Sequence, residues 1–297
     1  MDKLAEAFKV SVNVKSNASG TLLQAWTRWF QFAVGNKYEL AIQNVENRVA
    51  TNRGEKDEII AQMKILCLND QKSWSRLINI FGDEASDGVR IVQCGTREVI
   101  AHTNDISKSA SKYKADCILE MIKTGRQYRT TIKSKNGAPY AILNHTPRTA
   151  KVFRTAGRLS HTVPSLDKIA EEYVTKRTAG GREDMKVNEL SSLNDANHKE
   201  ALMEVIAYFM FDGTGESDSK CPAEAVAIYE GTHITFIKIS SLDDRKNYIA
   251  SIWDRVILSF RNKQMPPDIT NCHPWVYIDK GKNGSIKHKG SLHLRVK

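Results

Sequence analysis

The middle of the chain carries one aspartate and one lysine on either side of a short turn signal. The segment YKADCILEMIKTGRQYRTTIKSKNG, residues 113–137, places Asp116 near its start and Lys133 near its end. A carboxylate is a ligand for Mg²⁺, and an ammonium group stabilises the charge that grows on a phosphate during hydrolysis. If these two side chains meet in space, they are suited to phosphodiester chemistry.

A β-hairpin brings the two residues together. Thr124 and Gly125 are a two-residue turn signal, with glycine where a positive φ is useful. In the register that this turn predicts, Asp116 lies opposite Lys133, and alternate side chains of the two strands share one face. This charged face consists of Asp116, Ile118, Glu120, Arg129, Thr131 and Lys133. The other face is mostly apolar and suits a core, with Cys117, Leu119, Met121, Tyr128, Thr130 and Ile132.

The charged face has two explanations. One is a solvated antiparallel sheet with cross-strand ion pairs, such as Glu120 with Arg129, each worth about 0.2 to 1 kcal/mol. The other is a metal-dependent phosphodiester site, in which Asp116 binds Mg²⁺ and Lys133 orients or activates the attacking water. The geometry of the predicted hairpin satisfies both explanations equally.

The sequence around this hairpin resembles a known catalytic core. The segments KADCILEM, TIKSKNGAP and ILN are similar to the core of type II restriction endonucleases of the PD-(D/E)XK superfamily. In that superfamily an acid opens one strand, and an acid-x-Lys triplet lies on the neighbouring strand. Asp116 matches the first acid and Lys133 matches the lysine, over about 35 residues of the chain.

Thr131 is the departure from this pattern, because it stands where the superfamily has a carboxylate. A hydroxyl is a poorer metal ligand than a carboxylate, so the resemblance implies that Thr131 holds a metal-bound water or a supporting contact. Some members supply another acid from an early helix, and the candidates here are Glu39, Glu46, Glu55 and Glu58.

The resemblance implies a Mg²⁺-dependent, sequence-specific endonuclease that cuts double-stranded DNA. Cutting both strands of a palindromic site calls for two-fold symmetry, so a homodimer is expected by analogy. A cognate methyltransferase is then the functional counterpart in the host and not a binding partner.

Candidate DNA contacts follow the hairpin. Asn144, His145 and Arg148 in the segment NHTPR offer an amide, an imidazole and a guanidinium, and Lys135 lies in a basic stretch just before them. Asparagine pairs well with adenine edges and arginine with guanine edges. The alternative interpretation of NHTPR is a capped turn that contains proline.

The composition is consistent with a polyanionic partner. The 297 residues include 44 Lys and Arg against 34 Asp and Glu, which gives a formal charge of +10. No run approaches 18 consecutive apolar residues and no signal peptide is evident, so no membrane partner and a cytoplasmic location are expected. Besides the nuclease, a nucleic-acid-binding protein without catalysis, such as a nucleoprotein or a regulator, fits the same charge.

The periodicity predicts an α/β (α+β) protein with a central mixed sheet flanked by helices. Residues 1–87 form a predicted helical region, and residues 88–297 form the predicted catalytic α/β core with its DNA-binding elements. Helical periodicity is clear at residues 55–68, 70–83, 163–177 and 198–211. Residues 225–239 alternate around a turn at Glu230 and Gly231, which predicts a second hairpin.

Overall fold

The computed structural model describes residues 53–92, 113–144, 149–180, 184–215, 217–261, 276–280 and 286–297. The chain divides into two compact units, of which the first comprises residues 1–137 and 223–238 and the second comprises residues 138–222 and 239–297. Within the described ranges there are five α-helices and two five-stranded sheets, so the predicted α+β class with a mixed sheet is confirmed. The predicted boundary between residues 87 and 88 stays a prediction.

The helices and strands are numbered in chain order. The helices are α1 (Arg53–Asp70), α2 (Trp74–Phe81), α3 (Val163–Gly180), α4 (Ala196–Ala207) and α5 (Leu242–Ile252). The strands are β1 (Val89–Val92), β2 (Cys117–Met121), β3 (Gln127–Ser134), β4 (Tyr140–Asn144), β5 (Met185–Lys186), β6 (Ala225–Glu230), β7 (His233–Lys238), β8 (Val256–Arg261), β9 (Val276–Lys280) and β10 (Ile286–Val296). Each of the four segments with helical periodicity overlaps one of these helices, and the hairpin at residues 225–239 is β6 and β7. Residues 1–52 of the predicted helical region lie outside the described residues.

The sheet of the first unit has the strand order β1-β2-β3-β6-β7. The strands β1, β2 and β3 pair antiparallel in sequence, β3 then pairs parallel with β6, and β6 pairs antiparallel with β7. Because β3 has a hydrogen-bonded strand on each side, it lies in the middle of the sheet. This mixed sheet carries Asp116, Thr131 and Lys133.

Helices α1 and α2 contribute apolar side chains to the core on one face of this sheet. Ile60, Met63 and Cys67 recur at spacings of three and four along α1, and all three are buried. They join the predicted apolar face of the hairpin, where all six predicted side chains are buried: Cys117, Leu119, Met121, Tyr128, Thr130 and Ile132. The prediction of which hairpin face lies in the core is therefore confirmed.

The hairpin itself is confirmed, but its predicted register is wrong by two residues. Ile118 pairs with Arg129 and Glu120 pairs with Gln127, so Asp116 comes opposite Thr131 and not Lys133. The connection is longer than a two-residue turn, because the N–H of Gly125 donates to the carbonyl of Met121 at 2.8 Å. Gly125 has φ of 68°, a conformation that glycine adopts without steric cost. Because side chains alternate between the two faces of a strand, a register shift of two residues leaves every side chain on its predicted face.

The second unit contains the other sheet, with strand order β4-β10-β8-β5 and with β9 also paired to β10. The long strand β10 pairs antiparallel with β4, β8 and β9. The basic tail of the chain is therefore the central strand of a sheet. No helix in the described ranges is both long and apolar enough to cross a membrane.

Glu172 of α3 stabilises the turn that follows β5 in the second unit. Its carboxylate accepts hydrogen bonds from the backbone N–H and hydroxyl of Ser191 and from the N–H of Ser192, each at 2.7 Å, and pairs with Lys176 at 2.7 Å. Burial alone would raise the pKa of Glu172, but these donors outweigh it and hold the pKa well below its usual value. The ionised form of Glu172 therefore stabilises the folded state.

We expect Glu172→Ala to lower the free energy of unfolding by about 2 kcal/mol at neutral pH, because it removes charge-assisted hydrogen bonds. A depressed pKa contributes stability that is present above the unfolded-state value and is lost as the pH falls through the folded-state value. The difference from the wild type should therefore shrink as the pH falls below the ordinary value of 4.5. Urea unfolding at a series of pH values measures this difference.

The neighbouring Glu171 supplies the control. It is exposed and pairs with Lys168 at 3.0 Å within the same helix. We expect Glu171→Ala to change the free energy of unfolding by less than about 0.5 kcal/mol. Equal losses in the two variants would contradict the role given to Glu172.

Candidate active site

Asp116 lies at the start of β2, and its carboxylate is held against β3. Its Oδ2 accepts hydrogen bonds from the hydroxyl of Thr131 at 3.0 Å and from the N–H of Ile132 at 2.6 Å. The N–H of Asp116 donates to the carbonyl of Thr130 at 2.8 Å, which continues the strand pairing by one residue. Both contacts fall on Oδ2, so Oδ1 keeps its lone pairs for another partner.

Lys133 lies on the same face of β3, two residues beyond Thr131. Its Nζ donates to the hydroxyl oxygen of Thr131 at 2.9 Å and to the carbonyl of Ile132 at 3.2 Å. Thr131 is fully buried, and its hydroxyl lies between the carboxylate of Asp116 and the ammonium of Lys133. The structure therefore brings the three sequence-predicted residues into one hydrogen-bonded row.

Among the described residues, the hydrogen-bond partners of the two charged groups in this row are all neutral. Asp116 accepts from a hydroxyl and an amide, and Lys133 donates to a hydroxyl and a carbonyl. An ionised group whose hydrogen-bond partners are neutral gains more electrostatic stabilisation from a bound ion of opposite charge than a group that is already in a salt bridge. The row can thus hold a cation at Asp116 and an anion at Lys133.

The other end of the charged face consists of ordinary ion pairs. Glu120 pairs with Arg90 of β1 and accepts from the amide of Gln127 at 2.7 Å. The hydrogen bond from Gln127, together with Arg90, lowers the pKa of Glu120. The predicted pair of Glu120 with Arg129 is wrong, because the register shift moves Arg129 away, and Arg129 pairs with Glu224 at the start of the β6 segment.

Helix α1 brings an acid to the strand that carries Lys133. The buried Asp57 accepts a hydrogen bond from the hydroxyl of Ser134, the residue next to Lys133. Burial raises the pKa of the Cys117 thiol well above its usual value, and the charges of Asp116 and Glu58 raise it further. The charge of Glu58, from the same helix, thus acts on the buried thiol that follows Asp116 in the chain.

Of the four glutamates predicted as a further acid from an early helix, the structure describes the side chain of one. Glu58 is the one whose charge acts on the thiol of Cys117, the residue that follows Asp116 in the chain. Glu39 and Glu46 lie outside the described residues, as does the side chain of Glu55. Sequence reasoning missed Asp57, although its position next to Glu58 in the first turns of a predicted helix was a usable signal.

The atoms of the row that can ligate a metal ion are oxygens, from the carboxylate of Asp116 and the hydroxyl of Thr131. Oxygen donors are those that Mg²⁺ prefers. In the described ranges no group of three or more His, Cys, Asp or Glu side chains is gathered as a metal cage. Mg²⁺ is usually held by one or two carboxylates, with waters and substrate phosphates completing its shell, so the residues present fit this ion.

Of the four residues predicted to contact DNA, the structure describes two, Asn144 and Lys135. Asn144 ends β4, and its Oδ1 is buried without a hydrogen-bond partner in the described structure. His145 and Arg148 lie outside the described residues. Lys135 pairs with Glu230 at 2.9 Å, and its N–H donates to the carbonyl of Tyr229 at 2.9 Å, so its ammonium already has a carboxylate partner.

Comparison with known proteins leaves the site to be judged on its own geometry. No family model matches the chain, and neither a curated protein nor a solved structure matches it. The mixed sheet and the hydrogen-bonded row of Asp116, Thr131 and Lys133 are the features from which a function is inferred.

Proposed function

We propose that the protein is a Mg²⁺-dependent endonuclease that hydrolyses phosphodiester bonds in double-stranded DNA, as type II restriction enzymes do. The observation that carries the proposal is the row in which Thr131 joins Asp116 on β2 to Lys133 on β3, at 3.0 and 2.9 Å. A carboxylate and an ammonium, each with only neutral partners, lie within one row on neighbouring strands. This arrangement supports a site for a metal ion beside a phosphate.

Each side chain has a separate role in this proposal. Asp116 would hold Mg²⁺ with its carboxylate, and Glu58 from α1 would supply a second carboxylate in place of the acid missing at residue 131. Thr131 positions both charged groups through its hydroxyl. Lys133 presents its ammonium to the phosphate and stabilises the negative charge that develops there.

When bound, Mg²⁺ supplies Lewis-acid stabilisation of the phosphate and lowers the pKa of a coordinated water. The chain places Lys133 by two hydrogen bonds to fixed oxygens, Thr131 Oγ1 and the Ile132 carbonyl. Because these oxygens belong to a central strand of the sheet, the ammonium is positioned before DNA binds. The formal charge of +10 favours association with DNA and makes that association sensitive to salt.

The direct test is cleavage of a mixed-sequence supercoiled plasmid by the purified protein with Mg²⁺, and with EDTA as the metal-free control. We expect discrete fragments with Mg²⁺ and intact plasmid with EDTA. Sequencing the fragment ends identifies the recognition site and the cut position. The same plasmid in a gel-shift assay with Ca²⁺ measures binding separately from cleavage.

A non-catalytic nucleic-acid-binding protein is the second candidate. Thr131 in place of a carboxylate favours it, as does the lack of a larger acidic cluster within the described residues. DNA binding by gel shift without cleavage under Mg²⁺ or Mn²⁺ would support this candidate and reject the nuclease.

Glu58→Gln tests whether α1 supplies the second carboxylate. We expect cleavage to fall about 10- to 100-fold and the Mg²⁺ concentration for half-maximal rate to rise, because one carboxylate of the metal site is lost. Cleavage rates over a Mg²⁺ titration measure both effects. Asp83→Asn is the matched control, since Asp83 is exposed in the same unit and away from the row. An unchanged Mg²⁺ requirement in Glu58→Gln would remove Glu58 from the site.

A further inference from the structure

The first unit contains an open cavity that plays no part in the proposed cleavage site. Its volume is about 680 Å³, and it lies between the second half of α1, helix α2 and the turn that joins β6 to β7. Cavities of about 300 to 1,000 Å³ are the size that holds small organic ligands. The cavity is therefore large enough for a ligand such as a nucleotide.

The charge around this cavity is entirely basic. Lys64, Arg76 and His233 line it, and no acid is among its described lining residues. Lys238 of this unit, in contrast, pairs with the carboxylate of Glu84 at 2.6 Å. The guanidinium of Arg76 has no such partner in the described structure, and Lys64 Nζ lies 4.8 Å above the ring centre of Tyr229. The cavity thus attracts an anion.

The walls between these cations are apolar, with amides at the edge. Leu68, Ile80 and the buried Ile234 form an aliphatic surface, and Gln71 and Asn79 add amide donors and acceptors. A flat, weakly polar ring would be stabilised by burying its faces against this aliphatic surface. The polar atoms at the edge of the ring could hydrogen-bond to the amides. Inorganic phosphate alone would use only the cations and would leave the rest of the cavity unfilled.

We propose that this cavity binds a small phosphorylated ligand of the nucleoside monophosphate class. Arg76 and Lys64 contact the phosphate, and the aliphatic wall and the amides contact the base. This site is independent of the proposed nuclease function, since its residues come from α1, α2, the residues between these helices, and the β6–β7 turn with the start of β7, and not from the row at Asp116. Binding therefore requires neither Mg²⁺ nor DNA.

Isothermal titration calorimetry of the full chain with AMP, in EDTA and without DNA, tests the proposal. We expect saturable binding by AMP, with adenosine and inorganic phosphate each at least about 10-fold weaker, because each lacks one half of the contacts. Arg76→Gln removes the phosphate contact, and Thr232→Glu adds a carboxylate at an exposed position on the cavity rim. Each variant should weaken AMP binding at least about 10-fold.

Two variants serve as controls. Lys123→Gln removes one positive charge from the exposed turn of the β2–β3 hairpin and should bind AMP as the wild type does. Lys133→Met changes the candidate active site and should also bind AMP normally, which separates this cavity from the nuclease proposal. The proposal is overturned if AMP gives no saturable binding, or if Arg76→Gln and Thr232→Glu bind like the wild type. It is also overturned if Lys133→Met, and not Arg76→Gln, loses AMP.

Discussion

An Asp116→Asn variant is expected to lose DNA cleavage by about 1,000-fold or more. The metal ion supplies several kcal/mol of transition-state stabilisation, and a tenfold change in rate corresponds to about 1.4 kcal/mol. Asparagine keeps the shape of the side chain and one oxygen, which can still accept from Thr131 and Ile132. It loses the negative charge that holds the cation, so the fold remains while the metal site fails.

Single-turnover cleavage of a plasmid at saturating Mg²⁺ measures this loss, and thermal unfolding confirms that the variant is folded. Asp83→Asn removes one carboxylate from an exposed position of the same unit and should cleave like the wild type. DNA affinity measured in Ca²⁺ or EDTA should change much less than the cleavage rate. A rate for Asp116→Asn within tenfold of the wild type would exclude Asp116 as the essential metal ligand.

Lys133→Met is expected to reduce cleavage by about 100- to 1,000-fold, the usual effect of removing one charged donor from a developing anion. Methionine retains an unbranched apolar side chain without the ammonium, so packing along β3 is largely retained. The Mg²⁺ concentration for half-maximal rate should not change, because Lys133 donates to Thr131 and Ile132 and does not bind the cation. A Mg²⁺ titration of the single-turnover rate distinguishes this result from that of Glu58→Gln.

Lys123→Met is the matched control, since Lys123 is exposed in the turn of the same hairpin. It should retain wild-type cleavage. If Lys133→Met cleaves normally while Asp116→Asn does not, Lys133 is a structural residue and the attacking water is positioned by another group. If both variants cleave normally, the row formed by Asp116, Thr131 and Lys133 is not the catalytic site.

The hairpin shows where sequence reasoning succeeded and where it failed. The alternation of Cys117, Leu119 and Met121 with polar residues identified the buried face, because a strand has a period of two. The exact pairing was not predictable in the same way. The pairing depends on the number of residues that connect the two strands. The hydrogen bond from the N–H of Gly125 to the carbonyl of Met121 shows that this connection is longer than the two-residue turn that the sequence predicted.

At the candidate site, too, the sequence predicted which residues share a face but not which of them are in contact. Asp116 and Lys133 were singled out from the predicted hairpin, and Thr131 from the resemblance to a nuclease core; the even slip in register kept all three on one face. Their contacts changed, because Thr131 and not Lys133 lies opposite Asp116. The ion-pair partners changed as well: Glu120 pairs with Arg90, and Arg129 pairs with Glu224. Arg90 and Glu224 lie 30 and 95 residues from these partners, and local sequence carries no signal for such pairs.

The sequence by itself determined the α+β class, most of the helices, both hairpins and the face of the first hairpin that enters the core. These features follow from local periodicity and turn residues, which act over a few positions. Only the tertiary structure decided that β3 lies between β2 and β6, that the basic tail is a central strand, and that Asp57 of α1 accepts a hydrogen bond from Ser134 of β3. Those outcomes depend on contacts between segments far apart in the chain, and the burial that selects them exists only once the sheets have formed.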